Sequence, residues 1–75
     1  MELETGYRIV LFSHPDYEQL TAEIYFHDEF VAIVSQENGV FQLELDSPKI
    51  GIVRKFQLNG FQEALDVATK RLSEP

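Results

Sequence analysis

EFVAIVSQENGVFQLEL, Glu29 to Leu45, is the stretch that decides the fold. Asn38-Gly39 stands between two β-rich runs, and both residues tolerate the positive φ that a two-residue hairpin turn requires. Alternation on either side makes the runs strands. Phe30, Ala32 and Val34 share one face of the first, with Val31 and Ile33 on the other. In the second, Phe41, Leu43 and Leu45 are expected to point inward and Gln42 and Glu44 outward.

The same period extends towards the N-terminus. Thr21–His27 alternates Ala22, Ile24 and Phe26 against Thr21, Glu23 and Tyr25, and His27-Asp28 marks a tight turn into Glu29. Tyr7–Ser13 is rich in β-formers, with Ile9 and Leu11 on one face and Val10 and Phe12 on the other. Residues 1–5 are expected to be a frayed tail. Beyond Leu45, Asp46-Ser47-Pro48 ends the hairpin, and Ile50–Phe56 is a candidate fifth strand.

The period then changes. NGFQEALDVATKRL (Asn59–Leu72) places Phe61, Ala64, Leu65, Ala68 and Leu72 at helical spacing on one face. Asn59 is a candidate N-cap, with Gln62 three residues on completing a capping box. Glu63 and Asp66 near the expected start, and Lys70 and Arg71 near the end, complement the helix dipole. The expectation is a single α+β domain over 1–75. It would be a two-layer antiparallel meander of four to five strands with one C-terminal helix on one face. One helix covers one side of a sheet, yet the strands carry apolar residues on both. Val10, Phe12, Tyr25, Val31, Ile33 and Val53 therefore form a candidate interface, and a contiguous exposed apolar patch commonly marks a binding surface.

Composition narrows the functional class. A chain of 75 residues buries only about 60% of its unfolded surface, so a small-molecule cleft is hard to cut into its core. No cysteine is present, which excludes disulfides, thiolate nucleophiles and cysteine-ligated zinc. The acidic start lacks the basic and apolar regions of a secretory signal, and no apolar run reaches membrane-spanning length. A cytoplasmic location is the simplest expectation. The net charge of −7 is unevenly distributed: residues 1–48 hold ten acids against Arg8 alone (−9), and residues 49–75 hold five bases against three acids (+2). Such an acidic body is unsuited to nucleic acid, where Lys and Arg contacts to phosphate dominate affinity.

Several motifs bear on chemistry. His14-Pro15-Asp16 resembles the signature tripeptide of J-domain co-chaperones, but its flanks read as strands where that family has long helices. A proline-preset turn is the better account. His14 and His27 do not converge with acids at a metal-binding spacing, and no EF-hand loop is present. The four glycines are isolated, and no serine sits in a nucleophile elbow. NGFQEALDVATKRL is similar to the helix of HicB-type antitoxins, in which a glycine-led turn precedes an EAL-containing helix. That family's loop rich in proline and glycine and its DNA-binding appendage are absent.

The expectation is a small, acidic, non-enzymatic protein without cofactor or metal. It would bind a protein partner or itself, as a homodimer, and neither nucleic acid nor membrane. One version is an antitoxin-like or immunity-like inhibitor presenting Asp28 and Glu29 to a basic partner. The rival is an enzyme subunit with a site at a dimer interface, built from His14, Asp16 and Tyr17.

Overall fold

The computed structural model describes residues 1–46 and 54–74. Four strands, β1 (Tyr7–Phe12), β2 (Thr21–Phe26), β3 (Glu29–Glu37) and β4 (Val40–Leu45), form an antiparallel sheet in that order, and one helix, α1 (Leu58–Ser73), follows. This is the expected α+β meander with a helix on the sheet. The candidate fifth strand lies largely outside the described residues, as does Val53; Arg54–Gln57 have no regular structure. No helix among the described residues is long and apolar enough to cross a membrane.

Both tight turns use left-handed backbone. Asn38 (φ 53°) and Gly39 (φ 77°) pair Glu37 with Val40, as the Asn-Gly signal predicts. His27 (φ 48°) and Asp28 (φ 67°) adopt a similar conformation without a glycine, at a steric cost of about 1–2 kcal/mol per residue. Contacts hold that turn in place. The His27 ring packs 4.1 Å from that of Phe26, and Arg8 lies 3.6 Å from the Asp28 carboxylate.

The alternation read for β3 is broken by a β-bulge. Ile24 pairs with Ala32 but Tyr25 pairs with Phe30, so Val31 is the extra residue. Phe30 is thereby moved to the face of Tyr25 and Ile33, away from Ala32 and Val34. Val31 is 3% exposed and packs within the helix-side core, which corrects its expected place on an interface opposite the helix.

That core joins Tyr7, Ile9, Ala22, Ile24, Val31, Ala32 and Val34 to Ala64, Ala68 and Leu72, with Phe61, Leu65 and Val67 partly buried beside them. Gly60, Ala64 and Ala68 recur every four residues, and their small size lets the helix backbone approach the sheet. The Gln36 amide donates to the carbonyl of Leu72 (3.2 Å) and ties the last turn of α1 to β3.

Two terminal expectations change. The N-cap is Gln57, so Asn59 lies inside the first turn, where no acidic residue occurs; Glu63 falls a turn too late to cap the dipole. Lys70 and Arg71 do occupy the last turn. Residues 1–3, expected to fray, fold back along β1. Met1 and Ile9 exchange backbone hydrogen bonds at 2.8 Å, and Leu3 N–H donates to Tyr7 O at 2.7 Å.

Candidate functional site

β4 is the most exposed element of the sheet, with every residue open to solvent. Leu43 lies opposite Val34 and Leu45 opposite Ala32, so both project from the face that α1 covers elsewhere; Phe41 lies opposite Gln36 on the same face. The helix packs over β1, β2 and the near side of β3. A helix about 10 Å across cannot span four strands spaced about 4.8 Å apart. Phe41 (43% exposed), Leu43 (44%) and Leu45 (62%) therefore form an uncovered apolar row rather than the expected core contribution.

The backbone of the same residues faces outward. Asp46 N–H donates to Val31 O (2.9 Å), and the two-residue turn makes Glu37 and Val40 a hydrogen-bonded pair. Alternation along an antiparallel ladder then directs the N–H and C=O of Val40, Gln42 and Glu44 to β3. Those of Phe41, Leu43 and Leu45 point away from the sheet, with no partner strand among the described residues. The opposite edge, β1, is covered by residues 1–3 through the Glu2–Arg8 bridge.

The face opposite α1 is not the bare apolar surface expected from the sequence. Val10 and Tyr25 are half-buried, Ile33 is buried and Phe12 is 44% exposed. Polar groups run between them: Arg8 stacks 5.0 Å over the Tyr25 ring, and the Tyr25 hydroxyl donates to Glu23 (2.9 Å). That hydrogen bond is the main cause that raises the Tyr25 phenol above its ordinary pKa, with Arg8 opposing. The loop after β1 crosses the same face, where the Tyr17 hydroxyl donates to Glu44 (2.9 Å), the neighbour of Ile33 in register. Thr21 is fully buried there and donates to Phe12 O (3.1 Å), whereas the buried Ser35 hydroxyl has no partner among the described residues.

His14, Asp16 and Tyr17 are brought together as a turn. Tyr17 N–H donates to His14 O (3.1 Å) and Asp16 N–H to His14 Nδ1 (3.1 Å), with Pro15 at the second turn position. The His14 lone pair is thus engaged by backbone, and Asp16 stays largely in solvent. The Tyr17 phenol is raised first by its hydrogen bond to Glu44, then by burial and neighbouring carboxylates, and it remains a donor. Asp28 and Glu29 are also exposed, but Arg8 (3.6 Å) and Arg54 (3.8 Å) stand beside them. Arg54 further donates to Asp46 and to Phe30 O, both at 3.2 Å. These arginines dilute the acidity that the sequence suggests at this turn.

Two cavities flank Tyr7, and neither includes His14, Asp16 or Tyr17. One, of about 220 Å³, is lined by Glu2, Leu3, Gly6, Tyr7, Arg8, His27 and Asp28. The other, of about 250 Å³, lies among Thr5, Tyr7, Phe26, Gln57 and Gly60. Among the described residues no group of three or more His, Asp or Glu is placed to hold a metal ion. Comparison with known proteins yields no matching family model, no matching curated protein and no matching solved structure.

Proposed function

We propose that this chain is a small non-enzymatic binding protein whose docking element is the outer edge of β4 and whose partner is a second copy of itself. The observation that carries the reading is the coincidence, at Phe41, Leu43 and Leu45, of exposed apolar side chains with outward backbone groups. Strand addition uses both at once: the ladder supplies affinity and the side chains supply fit.

The sequence of β4 is self-complementary in one register. A twofold axis perpendicular to the sheet keeps both helices on one side and requires residues of the same face to meet. Centring it on Leu43 places Leu43 opposite its copy, Phe41 opposite Leu45 and Gln42 opposite Glu44. Every apolar residue of the row then meets another, and each Glu44 carboxylate faces an amide that can donate to it. Centring on Glu44 would set two carboxylates directly opposite, which is destabilising. Centring on Gln42 would leave Leu45 without a counterpart and place Val40 against Glu44.

Pairing of two six-residue strands buries less than the roughly 1,600 Å² of a standard interface, so a dimer in the micromolar range is expected. Light scattering coupled to size exclusion should show a mass moving from 8.7 kDa towards twice that value as concentration rises from micromolar to millimolar. A constant 8.7 kDa species throughout would exclude the second copy as partner.

A further inference from the structure

β1 is the other edge of the sheet, and its own sequence does little to guard it. YRIVLF (Tyr7–Phe12) carries no proline, acid or lysine, and its pairing with β2 runs without a bulge. Its single charge, Arg8, turns over the Tyr25 ring at 5.0 Å. Edge strands of this composition pair with other chains unless charges, prolines, bulges or a covering segment prevent it. Among the described residues only the covering segment is present.

Residues 1–3 supply it, and only in part. Met1 and Ile9 exchange backbone hydrogen bonds at 2.8 Å, and Leu3 N–H donates to Tyr7 O at 2.7 Å. Ile9 therefore turns both of its backbone groups outward, and the alternation of an antiparallel ladder puts those of Tyr7 and Leu11 outward with it. The strap ends at Ile9, so the N–H and C=O of Leu11 lie beyond its reach. Its hold is slight. Met1 and Glu2 are exposed, Leu3 alone packs partly against the core, and the return passes through Gly6 at φ 95°. A segment of this kind opens at little free-energy cost.

The strand beneath the strap is self-complementary. A twofold axis perpendicular to the sheet and centred on Ile9 sets Ile9 opposite its copy, Tyr7 opposite Leu11 and Arg8 opposite Val10. Apolar residues of the helix side then meet one another, and no two like charges are opposed. α1 lies mainly over β1 and β2. With strands about 4.8 Å apart, the two helices come side by side at about 10 Å, the spacing at which helices pack. We infer that the β1 edge is a second self-pairing surface, held shut by residues 1–3, and that its partner is the β1 edge of another copy. Strap and second copy compete for the same backbone groups of Tyr7 and Ile9. Together with β4 pairing, an open β1 would extend the sheet without closing, because each chain would join a different copy at each edge. That consequence rests on the β4 reading, whereas the β1 pairing does not.

The test removes the strap where β4 pairing is blocked. In the Leu43→Lys background, deletion of residues 2–4 should double the mass seen by light scattering, relative to full-length Leu43→Lys at matched concentration. The same deletion in the parent chain should give species larger than a dimer. Leu3→Pro removes one strap hydrogen bond at unchanged chain length. It should shift the mass in the same direction by less, and it carries the test if the deleted chain does not fold. Amide exchange identifies the edge. Leu11, which the strap leaves open, should exchange fast in full-length Leu43→Lys and about tenfold or more slowly once β1 pairs. A folded variant that shows no gain in mass, or that associates without protecting Leu11, would overturn the inference. If the parent chain and Leu43→Lys are both monomers while the deletion dimerises, the β4 reading fails and the β1 pairing stands.

Discussion

Ile24→Ala should come close to unfolding the domain. Ile24 is fully buried at the centre of the sheet, between Ile9 on β1 and Ala32 on β3, and belongs to the core that α1 covers. Truncation removes its transfer free energy and leaves a cavity, together about 2–5 kcal/mol. Four members of the same core, Ala22, Ala32, Ala64 and Ala68, have no side chain to extend into that space, which limits how far it can be refilled. A chain of this length has a total stability of about 4–11 kcal/mol at typical per-residue values. Urea denaturation should therefore report a loss of about 3 kcal/mol, and the melting temperature should fall by roughly 12–24 °C. A loss below about 1 kcal/mol would mean that the helix does not seal this part of the sheet.

Leu43→Lys should have an equally large effect on association and little on the fold. Leu43 is already 44% exposed, and surface substitutions usually change stability by less than about 0.5 kcal/mol. In the paired dimer, however, each copy contributes one Leu43 at the twofold axis. Substitution removes two apolar contacts there and sets two ammonium groups directly opposite. The sum is about 3 kcal/mol, or more than a hundredfold in dissociation constant. Gln62→Lys makes the same change in charge on the exposed helix surface and should leave dimerisation intact. If Leu43→Lys dimerises like the parent, β4 is not the docking edge. Because a dimer makes thermal stability depend on concentration, Ile24→Ala is best compared with its parent at matched concentration.

Much of the fold was legible because local signals agreed. Asn38-Gly39 between alternating runs specified the β3–β4 hairpin, and a change of period at Phe61–Leu72 specified α1. What was not legible depended on non-local geometry. The bulge at Val31 inserts one residue into an otherwise regular alternation, and nothing in Phe30-Val31-Ala32 announces it; the register with Ile24 and Tyr25 decides it. The start of α1 at Leu58 left Asn59 within the first turn, although Asn59 and Gln62 have the spacing of a capping box. At the N-terminus, pairing of residues 1–3 with β1 requires a turn around Gly6 (φ 95°), a glycine that invited no such reading by itself.

The presence of an exposed apolar patch was legible in the sequence; its place in the fold was not. More apolar residues than one helix can cover did imply an exposed patch. Alternation alone placed it opposite α1, where Tyr17, Arg8 and Tyr25 in fact occupy much of the space. The relevant signal was a matter of width: one helix shields two to three strands, so a fourth strand keeps its helix-side residues open. Applied to Phe41, Leu43 and Leu45, that arithmetic would have pointed to β4.

The alternation of backbone groups along β4 has a consequence in the time domain. In a lone copy, the amide protons of Gln42 and Glu44 are locked into the ladder with β3 and should exchange with deuterium only when the sheet opens. Those of Phe41, Leu43 and Leu45 face solvent and should exchange almost as fast as in an unfolded chain. Neighbouring residues of one strand would thus keep two different clocks, and dimer formation at Leu43 would slow the fast set until the two agree.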